Sequence, residues 1–336
     1  MKEQRKYVVS VLVIVSLLFM SVTVCQSAPY KVLAVFSYGT DYPWVQELKT
    51  GIDSVLDEKA EIRYFYMNTK KNIEGGPQKA EEALAVYKEF QPDGVITADD
   101  NAQSMFVVPY LKDKVKTPVM FCGVNAEPEK YGYPASNVSG VLERMLVKQS
   151  LALAQKLVPA AKTVAILSNK SPSAKATLNQ IKKEQDTYSA KIVAFEEVKT
   201  VDEMVVAAQK LNKIADIIYL TVIKGIKDKN GDVPTVSENM SILTQAYSKP
   251  VISNIAFRMK AGALCGVLVS GRAQGARAAE KLLKAMQGTP VAQIPITTEI
   301  YGKQMINVDM LKALKIKPSP SVLRSAELVR LEKAVD

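Results

Sequence analysis

The order of apolar and polar residues along the chain predicts short buried strands that alternate with amphipathic helices. The segment Lys31–Ile52 contains the first such unit. Its apolar run Val32–Phe36 is rich in β-branched residues, which is typical of a strand buried on both faces. A polar loop follows, and Pro43 suits the first position of a helix, where its missing N–H costs nothing. The segment therefore predicts the first half of a βαβ unit.

The same alternation continues through the chain and restarts once. The first half has predicted strands at Ile62–Met67, Gly94–Ala98 and Pro118–Cys122, separated by helices at Gln78–Phe90 and Ala102–Leu111. After a pause near residue 140, three more strand–helix pairs follow, with strands at Thr163–Leu167, Lys191–Phe195 and Asp216–Leu220. Such repetition with short connections is typical of an open parallel sheet covered by helices. We predict an α/β fold with two doubly wound parallel-sheet lobes joined by crossover hinge segments.

The end of the chain departs from this rhythm. Ala263–Ser270 is predicted as a strand, Ala273–Met286 as an amphipathic helix, and a final helix begins at Met310. The late helix has a natural place if the chain returns to cover the first lobe. We therefore predict an N-terminal lobe of residues 29–139 plus about 271–289. The C-terminal lobe is predicted to comprise residues 140–270 plus about 290–336.

Residues 1–28 have the pattern of a secretory signal peptide. Three basic residues precede the apolar run Val8–Met20, and small residues follow near Ala28. The run is short for a membrane span of ~20 residues. Cys25 leaves lipid anchoring as an alternative, although Val24 before it does not fit the small residue that such signals prefer. We expect a periplasmic or otherwise exported protein.

Composition removes several classes of function. The chain has no histidine, which excludes Ser-His-Asp and Cys-His nucleophile systems and the common zinc sites. We expect no cofactor and no metal. The formal net charge of +10 comes mostly from scattered lysines, without an arginine-rich strip, and this favours a solvated basic surface over nucleic-acid binding.

Two cysteines follow the predicted signal peptide, Cys122 and Cys265. Each lies in an apolar segment, so we expect both thiols to be buried and free. A disulfide between them is the alternative for an exported chain.

Candidate binding residues follow the predicted strands of the first lobe. Ligands of open α/β sheets bind beyond the carboxyl ends of the strands. The loop after the first strand carries a hydroxyl and an aromatic cluster whose rigid faces either enclose a flat apolar group or simply pack: Ser37, Tyr38, Tyr42 and Trp44. After Gly94–Ala98 come Asp99, Asp100 and Asn101. One of these three is expected to cap the next helix, which leaves a carboxylate that suits a ligand ammonium group.

Further candidates lie at the predicted hinge and in the second lobe. Arg144 could clamp a ligand carboxylate bidentately, and its alternative role is an ion pair with Glu143 or a neighbouring acid. We expect Arg144 to contribute more to ligand capture than Glu143. The second-lobe candidates follow strands and could hold a carboxylate through hydroxyl, amide and backbone N–H groups, although capping alone explains one of them. They are Asn169, Ser171, Ser173 and Thr221.

Several runs resemble a known family. SYGTDYPWVQELKTGI, VITADDNA and FCGVNAEPEKY are similar to ABC-transporter substrate-binding proteins of the type I periplasmic-binding fold. More narrowly they resemble an uncharacterised transport-system family, some of whose members take up aromatic amino acids. The resemblance covers nearly the whole mature chain without one sharp motif. It implies two lobes, three crossover segments and a ligand trapped as the lobes close. Asn125, in the third run, completes the candidate ligand-binding residues.

The resemblance implies an exported, monomeric protein that captures a small molecule, such as an amino acid, and performs no catalysis. Its partner would be an ABC-transporter permease with its ATPase. A ligand sensor that docks on a receptor kinase is an alternative that no residue distinguishes from transport. An enzyme on the same scaffold is the second alternative, with Asp99 and Asp100 as acid–base groups. Adjacent residues rarely converge on one substrate atom, which disfavours it.

Overall fold

A computed structural model describes residues 29–223 and 225–332, without the side chains of Pro172, Ser173 and Ala176. The predicted signal peptide with Cys25 and the last four residues lie outside the described residues. The strands in chain order are β1 (Tyr30–Phe36), β2 (Ala60–Tyr66), β3 (Gly94–Ala98), β4 (Val119–Val124), β5 (Val138–Leu142), β6 (Thr163–Asn169), β7 (Lys191–Val198), β8 (Ile217–Leu220), β9 (Val251–Ile252), β10 (Cys265–Val269), β11 (Thr297–Thr298), β12 (Gly302–Asn307) and β13 (Glu327–Val329).

Helices separate most of these strands. They are α1 (Pro43–Leu56), α2 (Gly76–Phe90), α3 (Asp99–Ala102), α4 (Val147–Leu157), α5 (Pro172–Glu184), α6 (Val201–Leu211), α7 (Val236–Ala246), α8 (Ala256–Lys260), α9 (Gly271–Met286), α10 (Val308–Ala313) and α11 (Pro320–Arg324). The short helix α3 continues directly into a π-helix over Gln103–Leu111, which contains Pro109.

Two parallel sheets form the frame of the molecule. The first has six strands in the order β11-β5-β4-β3-β1-β2, and the second has four in the order β7-β6-β8-β9. A third sheet, β10-β12-β13, adjoins the second, because Leu264 N donates to Val251 O at 2.7 Å and Ser253 N to Cys265 O at 3.2 Å. The α/β fold with two parallel-sheet lobes is confirmed.

Strand β1 shows why apolar runs mark these sheets. Val32, Ala34 and Phe36 pack into one hydrophobic cluster, while Leu33 and Val35 pack into another on the opposite face. Successive side chains of a strand point to opposite faces, so a strand covered on both sides must be apolar throughout.

Helix α9 leaves the second lobe and covers the first. It packs against α1, and the two backbones approach most closely at Gly51 and Gly275. A side chain at Gly51 would collide with the carbonyl oxygen of Arg272, and one at Gly275 with that of Leu48. The chain passes between the sheets at residues 143–146, at 270 and at 299–301, which gives three crossovers.

The segment after α9 differs from the predicted lobe assignment. Residues 291–298 were expected in the second lobe, but β11 pairs with β5 at the edge of the first sheet. Ser139 Oγ donates to the carbonyl oxygen of Ile294 at 2.6 Å, and Ile294 packs in a first-sheet cluster. The chain therefore returns to the second lobe about ten residues later than predicted. The exact lobe boundaries stay a prediction.

Both cysteines of the described region are buried and free, as expected. Burial raises the pKa of each thiol. No helix in the described residues is long and apolar enough to cross a bilayer.

Candidate functional site

The carboxyl ends of β1, β3 and β4 gather most of the first-lobe candidates. Ser37, at the end of β1, is completely buried. Its hydroxyl donates to Ala98 O at 2.6 Å and accepts from Ala102 N at 2.8 Å. Its carbonyl oxygen accepts from both the backbone N–H and the hydroxyl of Thr69. These bonds hold the strand ends together, so the fold uses the polar groups of Ser37.

Asp99 is the most unusual residue at this edge. Its backbone is left-handed, with φ of +68°, and only 3 % of its surface is exposed. Trp44 Nε1 donates to Asp99 Oδ1 at 2.9 Å, whereas the buried Oδ2 has no hydrogen-bond partner in the described residues. A strained backbone and an unsatisfied buried oxygen are both costly features that concentrate at functional sites.

The electrostatics at Asp99 follow from this burial. Burial raises the pKa of the Asp99 carboxyl well above its usual range, and the charges of Glu143 and Asp100 raise it further. The hydrogen bond from Trp44 lowers the pKa, and the charge of Lys70 lowers it by the smallest amount. Asp99 is thus a buried acid that forms no ion pair within the described residues.

Two glycines leave room for the contact between Trp44 and Asp99. Gly123 has φ of +67°, and a Cβ there would lie 2.9 Å from Asp99 Oδ1 and 3.4 Å from Trp44. A Cβ at Gly271, the first residue of α9, would lie 3.0 Å from the Trp44 ring. Trp44 therefore lies beside the end of β4 and the start of the helix that follows the second crossover.

The predicted aromatic cluster is present in the loop before α1. The rings of Tyr38 and Tyr42 meet edge to face, with centroids 5.4 Å apart. Lys70 Nζ lies 3.6 Å from the Tyr42 centroid and 5.0 Å from that of Tyr38. Burial, and then the charge of Asp99, raises the pKa of Tyr38. Both tyrosines and Trp44 are partly exposed, so a flat apolar group can reach them.

Asp100 and Asn101 have structural partners. Asp100 accepts from Asn125 N at 3.0 Å, from Ala126 N at 3.1 Å and from the Tyr131 hydroxyl at 2.7 Å. Its carboxylate therefore fixes the loop after β4. Asn101 Nδ2 donates to Thr69 Oγ1 at 2.9 Å. Of the three adjacent polar residues, Asp99 is the one with a buried side-chain oxygen that has no hydrogen-bond partner in the described residues.

Arg144 occupies the hinge rather than an open binding wall. Its Nη1 donates to the carbonyl oxygens of Val124, Asn125 and Glu143, and its Nη2 pairs with Glu127 at 3.2 Å. This geometry corresponds to the alternative of an ion pair with a neighbouring acid. The guanidinium is engaged by the first crossover and the loop after β4, so the ligand-clamp role gains no support.

Glu143 and Asn125 form the adjoining part of this edge. Asn125 is exposed, and its amide donates to Glu143 Oε2 at 3.1 Å. Burial raises the pKa of Glu143 to about 7, with an added contribution from Asp100, while the Asn125 amide opposes the shift. The charge of Arg144 also opposes the shift. The expectation that Arg144 contributes more than Glu143 to ligand capture stays a prediction.

The second-lobe candidates lie at the carboxyl ends of β6 and β8. Thr221 is buried, and its hydroxyl donates to Leu167 O at 3.3 Å. Ser171 caps α5 by accepting from Ala174 N at 3.2 Å, and it donates to Asn169 Oδ1 at 2.7 Å. Ser173 lies in the first turn of α5, and its side chain is outside the described residues. The ligand-binding roles of all these residues stay predictions.

Two second-lobe residues escaped the sequence analysis. Asn254 follows β9 and donates to Met145 Sδ at 2.8 Å, while its buried Oδ1 has no partner in the described residues. Arg258, on α8, is 3 % exposed and contacts the end of β8. The available signal was an isolated arginine between Phe257 and Met259. The part of the chain that the structure describes contains no group of three acidic, cysteine or histidine side chains placed to share a metal ion.

Comparison with known proteins agrees with this architecture. Residues 47–330 match the family model of the ABC transporter substrate binding protein. A tyrosine-binding protein of Clostridioides difficile (strain R20291) is 25% identical over 211 residues, which is 62% of this chain and 58% of that relative. The match therefore spans less than two thirds of the relative's length.

Two solved structures share the fold. A ligand-free, open substrate-binding protein with adhesive properties from Clostridium difficile has a TM-score of 0.67 at 19% identity, covering 90% of this chain and 100% of its own. An ABC domain in complex with L-Trp from Streptococcus pneumonia has a TM-score of 0.53 at 18% identity, with coverage of 90% and 100%. At these identities the likeness shows the two-lobed fold alone. The family match covers most of the chain, and the chain belongs to the ABC transporter substrate-binding proteins.

Proposed function

We propose that this protein is exported, captures an amino acid between its two lobes and delivers it to an ABC-transporter permease. The observation that carries the proposal is the buried, unpartnered carboxylate oxygen of Asp99 at the carboxyl end of β3. An uncompensated buried carboxylate is costly, and a ligand ammonium group would supply the missing charge and hydrogen bond. The family supports delivery to an ABC transporter, and the tyrosine-binding relative supports this class of ligand.

The surroundings of Asp99 favour an amino acid with an aromatic side chain. Trp44 contacts the carboxylate directly from the first turn of α1, and the partly exposed rings of Tyr38 and Tyr42 lie in the loop just before this helix. Aromatic rings prefer stacked or edge-to-face contacts with one another, and each such pair contributes about 0.5–1.5 kcal/mol beyond area burial. The ammonium would bind Asp99 and the ligand ring would contact this cluster.

Asp99→Asn tests the proposal. Asparagine keeps the shape of the side chain but carries no negative charge to pair with an ammonium group. We expect affinity for L-tyrosine, L-phenylalanine or L-tryptophan, measured by titration calorimetry, to fall roughly ten- to hundredfold, the loss of a contact of ~1.5–3 kcal/mol. The melting temperature of the free variant at pH 8 should not fall, because a buried charge has been removed.

Asp57→Asn is the matched control, since Asp57 is exposed at the end of α1, away from β3. It should leave affinity unchanged. If Asp99→Asn binds as tightly as the wild type, the ammonium site lies elsewhere. If no aromatic or branched-chain amino acid binds the wild type, the proposed ligand class is wrong.

A further inference from the structure

The second lobe contains a buried arginine whose guanidinium is held on one side only. Arg258 Nη1 donates to Leu220 O at 3.1 Å and to Ser253 Oγ at 3.2 Å, and it also contacts Thr221 O. These partners lie at the carboxyl ends of β8 and β9. Arg258 is thus fixed at the edge of the second sheet where ligands of this fold class bind.

The other edge of the same guanidinium has no hydrogen-bond partner in the described residues. Nε is buried without a hydrogen bond in the described residues, and every hydrogen bond from Arg258 uses Nη1. The edge formed by Nε and Nη2 carries two parallel N–H groups, the arrangement that binds a carboxylate bidentately. Contacts to three neighbours orient this edge before any ligand arrives.

The charge of Arg258 is also uncompensated. No aspartate or glutamate in the described residues forms an ion pair with it, and burial lowers the pKa of its guanidinium to about 10. A buried charge without a counter-charge is strongly unfavourable. A purely structural donor to the carbonyl ends of β8 would need Nη1 alone, which leaves the open edge and the unpaired charge unexplained.

A second unsatisfied group lies in the same segment. Asn254, four residues before Arg258, has a buried amide oxygen without a partner in the described residues, and its Nδ2 contacts Met145 of the first crossover. The segment therefore presents an unused acceptor near the hinge and an unused donor pair on α8. Buried polar groups are normally satisfied, and two exceptions in one short segment indicate a missing polar partner.

We propose that Arg258 is the second-lobe anchor for the carboxylate of the captured solute. The inference rests on the proposed function and deepens it, because it assigns the ligand two charged ends held by different lobes. Asp99 of the first lobe would bind the ammonium group, and Arg258 would bind the carboxylate. Each lobe alone satisfies half of such a ligand, so both charges favour the closed arrangement.

Ligand analogues separate the two anchors. Wild type, Arg258→Gln and Arg258→Lys are titrated with L-tyrosine, with tyramine, which lacks the carboxylate, and with 3-(4-hydroxyphenyl)propionate, which lacks the ammonium group. We expect Arg258→Gln to lose roughly ten- to hundredfold in affinity for both carboxylate ligands and to bind tyramine as the wild type does. Arg258→Lys should recover only part of the loss, because lysine lacks the two-pronged donor.

Lys260→Gln is the control, since Lys260 lies on the same helix in an exposed ion pair with Glu332. It should leave all three affinities unchanged. Circular dichroism establishes whether each variant folds. If Arg258→Gln does not fold, the ligand comparison is made with Arg258→Lys instead. Equal losses for L-tyrosine and tyramine, or no loss for either, would overturn the role of Arg258.

The carboxylate analogue keeps this result separate from the proposed function. If L-tyrosine and tyramine fail to bind but the propionate binds through Arg258, the amino-acid proposal is wrong and the carboxylate anchor stands. If the propionate binds the wild type and Arg258→Gln equally, the anchor is wrong whatever the other ligands do. Binding of none of the three overturns both.

Discussion

Asp99 and Glu143 show how single residues at this edge depart from what folding alone would favour. Asp99 is buried and Glu143 is partly buried, and neither forms an ion pair with another described residue. Burial raises the pKa of both carboxyls, and the charge of Glu143 raises that of Asp99 further. Such groups reduce the stability of the free protein, and functional sites commonly retain features of this kind.

The raised pKa of Glu143 should make the free energy of unfolding depend on pH. Its pKa is about 7 in the folded protein against a usual 4.5, so between these values the folded state holds more protons than the unfolded state. The free energy of unfolding should therefore fall as pH rises from about 4.5 to 7. We expect Glu143→Gln to be more stable than the wild type at pH 8 and to lose this advantage at pH 4.

Urea unfolding at the two pH values measures the difference. Glu81→Gln, on an exposed position of α2, is the control and should change stability equally at both. A Glu143→Gln variant whose advantage is the same at pH 4 and pH 8 would show that the Glu143 carboxyl titrates normally.

The position of the candidate acidic site could be predicted from the sequence, but the sequence could not show which of its residues is available to a ligand. Asp99, Asp100 and Asn101 were all predicted because they follow a buried strand, and the carboxyl edge of a parallel sheet is a general ligand position. Only the fold shows that Asp100 holds the loop after β4 while Asp99 turns into a left-handed conformation. Arg144 looked like a ligand clamp because its carbonyl partners lie about 20 residues away in sequence.

At the level of elements, α1 and α9 form the contact that ties the late helix to the first lobe. Gly51 and Gly275 allow the two backbones to approach closely, and Ala278, Ala279 and Leu282 of α9 fill the adjoining core. Residues far apart in the sequence are brought together here, directly beside Trp44 and the second crossover.

Gly51→Ala should disrupt this contact. The added methyl group would collide with the backbone carbonyl oxygen of Arg272, which cannot rotate away as a side chain could. Overpacking of this kind costs about 1–3 kcal/mol, although alanine is the better helix former. Chemical denaturation should show the loss.

Thr50→Ala, at the neighbouring exposed position, is the control, because its hydroxyl bonds only to Gln46 of the same helix. It should change stability by a few tenths of a kcal/mol. A Gly51→Ala protein as stable as the wild type would mean that the helices can separate without cost.

Elements with a clear period of apolar residues could be predicted from the sequence, whereas elements without such a period could not. The predicted strand Gly94–Ala98 is confirmed residue for residue, since it is short, apolar and bounded by polar residues. Strand β5 was not predicted, because it contains Ser139 and Gly140. In the structure, Phe121 occupies the space that a Gly140 side chain would need. Helix α8 is too short for a helical pattern, so the setting of Arg258 could not be inferred.

At the scale of the whole molecule, three crossovers join the two lobes, and side-chain contacts stabilise each crossover. Arg144 links the first crossover to the loop after β4, and Gln274 of α9 bonds to Gly123 and Leu142. At the third, buried Glu299 pairs with Arg277 of α9 at 3.2 Å. Hinge closure commonly concentrates backbone changes in a few such connecting residues, while the lobes move as units.

Trp44 should report this closure, because it is the only tryptophan and bonds directly to Asp99. A ligand ammonium at Asp99 and an approaching second lobe would both change the surroundings of its ring. We expect its emission, excited beyond the absorption of tyrosine, to change on addition of L-tyrosine. At a hundredfold excess over Kd, binding should stabilise the fold by about 2.7 kcal/mol and raise the melting temperature by roughly 4 °C.

The Asp99→Asn variant at the same L-tyrosine concentration is the control. Because its affinity is lower, both the emission change and the rise in melting temperature should be smaller than in the wild type. The two measurements report different things, since thermal stabilisation needs only binding, whereas emission needs a change near Trp44. A ligand that raises the melting temperature of the wild type and leaves the emission unchanged would show that Trp44 and the loop before it serve packing and not binding. The binding site would then lie along another part of the cleft.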